Sequence, residues 1–74
     1  MSHVNELVKM RDFEEAGWFR ERDAAKRAAA KYMLKGASWR YWVAEYERAS
    51  KRADMYEKNT HALNFALDTI EQAR

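Results

Sequence analysis

His3 and His61 are the only imidazoles in this 74-residue chain, and cysteine is absent. A zinc site draws three or four ligands from His, Cys and carboxylate side chains. Neither histidine has a second His or a Cys near it to complete such a set. Paired carboxylates, the equipment of general acid–base chemistry, occur as Glu14/Glu15 and Glu45/Glu47, but neighbours one or two residues apart do not face each other on a helix. No Glu is followed by His three residues later, the spacing that places di-metal ligands inside helical bundles. Ser38, Ser50 and Thr60 read as caps or small surface groups with no His placed to activate them. With only two glycines there is no phosphate-cradling loop. The expectation is a non-enzymatic protein without metal or cofactor.

Recognition chemistry is better represented. Residues 20–52 carry ten basic and four acidic groups, a net +6, whereas residues 1–19 and 53–74 each carry a net −2. Arg20, Arg22, Lys26, Arg27, Lys31, Lys35, Arg40, Arg48, Lys51 and Arg52 form the basic set, with Tyr32, Trp39, Tyr41 and Trp42 among them. Basic groups interleaved with aromatic rings can neutralise phosphates and stack on bases, so a small nucleic-acid-binding helical protein is the alternative reading. Against it, the net charge is only +2, Glu21, Asp23, Glu45 and Glu47 dilute the patch, and the tryptophans fall at positions suited to a core. A helix-turn-helix centred on Gly36 would bury Lys31, Lys35 and Glu45, which disfavours it. The stretch Arg20 to Leu34 is Ala-dominated on its apolar side and is a weak membrane inserter.

These residues need elements to hold them. Thirteen Ala, no Pro and 35% charged residues favour helix throughout. Lys35-Gly36-Ala37-Ser38 is the punctuation: Gly36 suits the left-handed position past a helix end, and Ser38 suits the N-cap of the next helix. The spacing predicts a helix arm over 3–35, a turn over 35–38 and a second arm over 39–73, in one domain spanning 1–74. In the second arm Trp39, Trp42, Tyr46, Ala49, Ala53, Tyr56, Thr60, Leu63, Leu67 and Ile70 keep a heptad seam. Glu47/Lys51 and Asp54/Lys58 are spaced to pair along it. In the first arm Val4, Leu7, Trp18, Ala25, Ala28 and Tyr32 share one phase, interrupted by Arg11, Glu14 and Glu21, while Met10, Phe13, Gly17 and Ala24 compete. Ser2 or Asn5 can cap this arm. Gly17, with Asp12 and Glu15 resembling a capping box, and Asn59-Thr60 mark places for a kink or break.

Folding at Gly36 sets residues whose numbers sum to about 74 opposite each other: Val4 with Ile70, Leu7 with Leu67, Trp18 with Tyr56 and Ala25 with Ala49. The fold class expected is therefore all-α, a long antiparallel helical hairpin. Met10, Phe13, Phe19, Met33, Leu34, Tyr41, Val43, Met55 and Phe65 are left over. Either a second copy or a partner covers them, or end segments fold back over the middle. The expected function is an adaptor, assembly factor or inhibitor that dimerises and docks on a larger protein. Lys35, Arg40 and Tyr41 form a basic, aromatic corner at the turn, extended by Arg27, Lys31 and Arg48. Met10, Phe13, Met55 and Phe65 are the candidates along the helix sides. Absence of cysteine fits a reducing compartment. No apolar run approaches a membrane span and residues 1–10 do not read as a signal peptide, so a cytoplasmic protein is expected.

Overall fold

The computed structural model describes residues 3–34, 36 and 38–73, and contains two helices, α1 (His3–Met33) and α2 (Trp39–Gln72), packed against each other. Helices of this length need roughly 50 Å at 1.5 Å per residue, and the hairpin is a rod of 57 × 16 × 13 Å. No helix among the described residues is long and apolar enough to cross a membrane. Lys35, Ala37 and the Ser2 cap lie outside the described residues. Asn5 falls within α1 and so does not cap it.

The register follows the expected pairing. Arg11 reaches Asn64 (3.5 Å), Glu14 meets Asn59 (2.9 Å) and Glu21 meets Arg52 (3.2 Å). Small residues carry the close approach at the middle: Ala25, Ala28, Ala49 and Ala53 are buried, with Tyr56 and Thr60 following along α2. Val4, Leu7, Leu67 and Ile70 are half-buried at the terminal end. The three polar residues that interrupt the α1 phase do lie in the seam, each matched by a polar partner from α2. A buried polar group without a partner costs roughly 1–3 kcal/mol, so these matches preserve the stripe that composition alone would break.

Neither predicted break interrupts its helix. A Cβ on Gly17 would lie 2.6–2.8 Å from the Tyr56 ring, so the glycine makes room for that ring rather than ending a helix. Tyr56 therefore packs on Gly17, one residue from the Trp18 expected. Asn59 donates to Glu14, and Thr60 Oγ1 donates to the Tyr56 carbonyl (2.9 Å), which satisfies both without breaking α2. Asp12 bonds Arg11 instead of capping. Because α1 and α2 run unbroken, no end segment among the described residues folds back over the middle.

The turn differs from expectation in detail. Leu34 N–H donates to the Lys31 carbonyl (3.2 Å), tightening the end of α1, and Trp39 N–H donates to the Gly36 carbonyl (3.1 Å). Gly36 does not take the left-handed conformation, which this tightened end does not require. Ser38 occupies the N-cap position of α2 without a side-chain capping bond; its carbonyl accepts from Trp42 N–H at 3.3 Å.

Candidate interaction surface

Residues seven apart lie along one side of a helix in a seam of this kind, and cross-helix contacts fix which sides share a face. One broad face carries Met10, Phe13, Gly17, Arg20, Arg27 and Lys31 from α1 with Tyr41, Arg48, Arg52, Met55, Asn59 and Ala62 from α2. The Glu14–Asn59 and Glu21–Arg52 bonds and a recess shared by Met10, Asn59, Ala62 and Leu63 tie its two halves together. We call it the Phe13 face. The opposite, Phe19 face carries Val8, Asp12, Glu15, Phe19, Arg22 and Lys26 with Arg40, Val43, Asp54, Glu57, Asp68 and Glu71. Three recesses run along it: Val8 with Glu71, Glu15 with Glu57, and Ala29 with Val43.

Most of the predicted contact residues fall on the Phe13 face. Met10 and Phe13 are exposed on its terminal half and Met55 near its midpoint, Phe13 at 66%. Arg27, Lys31, Arg48 and Tyr41 are exposed on its turn half. Arg48 makes a two-bond pair with Glu45 (3.0 and 3.2 Å), and Arg52 is bound to Glu21 and near the Tyr56 hydroxyl (3.5 Å). The Arg48 hydrogen bond holds the Glu45 carboxyl below its ordinary value of 4.5, and the same bond pushes the Arg48 guanidinium up. Two of the basic groups are thus committed within the chain, while Arg20, Arg27 and Lys31 have no salt-bridge partner among the described residues.

The expected corner at the turn is divided. Tyr41 is exposed with its ring edge-on to Trp42 (4.8 Å), but Arg40 lies on the other face, its guanidinium 5.4 Å from the Trp39 ring centre. Lys35 lies outside the described residues. Phe65, at 75% exposure, points away from both faces, on the back of α2. Trp39 was expected inward but is 40% exposed, because α1 ends at Met33 nearby; the Tyr32 ring lies 6.0 Å away centre to centre. Tyr46 is likewise exposed. The helical pairs Glu47/Lys51 and Asp54/Lys58 do not form among the described residues.

One cluster has no counterpart in the sequence-derived set. Trp18 and Phe19 pack at 4.7 Å, and the Arg22 guanidinium covers both rings at 4.8 and 5.0 Å. Its Nε is buried without a hydrogen-bond partner. The cluster's members were read separately: Trp18 as a seam residue, Phe19 as left over and Arg22 as one of the basic set. Toward the turn this face opens into a recess of about 390 Å³ lined by Ala29, Tyr32, Met33, Val43, Tyr46 and Glu47.

No protein-family model matches the chain, and no curated protein or solved structure is significantly similar to it.

Proposed function

We propose that this chain is a non-enzymatic protein–protein interaction module, an adaptor, assembly factor or inhibitor, that self-associates and docks on a larger protein. The observation supporting it is an inversion of the usual distribution. Among the described residues, four of the five buried apolar ones are alanines, whereas Phe13, Phe19, Met33, Leu34, Met55 and Phe65 are all exposed. Full burial of one such large side chain is worth about 1.5–3 kcal/mol. Exposed apolar groups on this scale, rimmed by charge, favour association.

The Phe13 face is the docking surface in this reading. Its exposed Met10, Phe13 and Met55 supply contact area, while Arg27, Lys31 and Tyr41 set orientation and partner charge. Affinity capture with the parent and with a Phe13→Glu/Met55→Glu variant of equal helicity tests it. A protein retained by the parent, lost by the variant and bound again in purified form supports the reading; identical capture by both overturns it.

Nucleic-acid binding is the competing reading, favoured by Arg20, Arg27 and Lys31, which have no salt-bridge partner among the described residues and share a face with Tyr41, and weakened by the commitment of Arg48 and Arg52 to carboxylates. A gel-shift assay at two salt concentrations separates the two, because phosphate contacts weaken steeply with salt.

A further inference from the structure

The Phe19 face is electrostatically divided along its length. Its terminal half presents Asp12, Glu15, Glu57, Asp68 and Glu71, with Arg11 paired to Asp12 at its edge, and its turn half presents Arg22, Lys26 and Arg40 with Glu47, while Asp54 lies beside the midpoint. Phe19 sits near the midpoint of α1, and Met55 marks the same level on α2 by the hairpin pairing. A surface that is acidic at one end and basic at the other complements itself when turned end for end.

We propose that a second copy of the chain packs on the Phe19 face antiparallel to the first, related by a twofold axis that crosses the rod beside Phe19. This rests on the self-association proposed above and adds its face, direction and register. A twofold in the plane between two stacked hairpins lays α1 on the partner's α1 and α2 on the partner's α2. Asp12 and Lys26 stand seven residues to either side of Phe19, so each meets the other across the interface, twice. Glu15 meets Arg22 in the same way, adding a second carboxylate beside a guanidinium that has Asp23 of its own chain at 4.0 Å and an Nε without a hydrogen-bond partner. On α2, Asp68 and Arg40 lie thirteen and fifteen residues to either side of residue 55 and oppose each other. Val43 and the recess at the turn face the half-buried Val8 and Leu67 of the other copy, and Phe19 packs against its own equivalent. A face 57 Å long and 16 Å wide offers roughly 900 Å², against about 800 Å² per partner in a standard stable interface. Asp54, beside the axis, is the carboxylate that this packing brings near its own copy.

Sedimentation equilibrium on the full chain and four variants tests the proposal. Asp12→Lys and Lys26→Asp each place like charges opposite one another at two symmetric sites and weaken the dimer by about tenfold. The double variant, and an equimolar mixture of the two single variants, return to the parent's dissociation constant, because both restore opposite charges across the interface. Asp54→Asn tightens the dimer. Asp12 and Lys26 are exposed, so circular dichroism melts of dilute protein stay unchanged. A monomeric parent overturns self-association itself. A dimeric parent whose single variants associate normally, or whose mixture fails to recover, leaves self-association standing and overturns this face and register.

Discussion

At the scale of single residues, the contact between Gly17 and Tyr56 shows how a poor helix former comes to sit mid-helix. Replacing Gly by Ala gains about 1 kcal/mol of helix propensity, while forcing atoms into a filled site costs about 1–3 kcal/mol. The 2.6 Å approach to the Tyr56 ring decides the sign. Gly17→Ala should lower stability by about 1 kcal/mol in urea unfolding, and the loss should shrink or reverse in a Tyr56→Leu background. A plain gain in the parent would contradict the packing. The ion pair nearby is asymmetric: the Glu21 side chain is 11% exposed and Arg52 46%. Removing Arg52 strands a buried carboxylate, whereas removing Glu21 leaves a guanidinium that can turn to water. Arg52→Met should therefore cost about 1–3 kcal/mol and Glu21→Met clearly less, checked by comparing their denaturation midpoints. The exposed Glu45–Arg48 pair behaves differently. The carboxyl is depressed in the folded chain, so its small contribution is complete above pH 4.5 and disappears as pH falls through the lowered value.

At the scale of the helices, the seam of α2 was legible because nine of its ten positions are apolar. The phase of α1 was legible only in outline. Arg11, Glu14 and Glu21 looked like interruptions, and only their partners on α2 make them seam residues, a long-range fact that local pattern does not carry. Gly17 and Asn59 misled for the same reason, since what each does depends on the opposing helix. Gly36 was read correctly as the reversal but for the wrong conformation. With ordinary backbone geometry and nothing within 4 Å of a Cβ, Gly36→Ala should stabilise the hairpin by about 0.4–1 kcal/mol through the unfolded chain; a loss measured by thermal melting would place Gly36 in the left-handed region after all. The close helix approach gives a further expectation. Ala49 is 1% exposed, so Ala49→Leu should cost about 1–3 kcal/mol, while Ala44→Leu on the exposed side of α2 should be nearly neutral.

At the scale of the whole molecule, a rod whose buried core is mostly alanine offers little stabilisation of its own, as chains below roughly 80 residues usually do. The leftover apolar residues were visible in the sequence, but their division between two faces was not, because it depends on how the seam drifts around each helix. The Phe13 face, which mixes exposed apolar and basic residues, and the charge-divided Phe19 face are distinct surfaces, and a chain with both can assemble on one while docking through the other. The most direct test is sedimentation equilibrium of the parent chain from about 10 to 100 µM at low salt, a range over which association shifts by mass action. Association into a species of at least twice 8.8 kDa, with a melting temperature that rises with concentration, is the predicted result. A strict monomer that unfolds cooperatively at a concentration-independent temperature would contradict it.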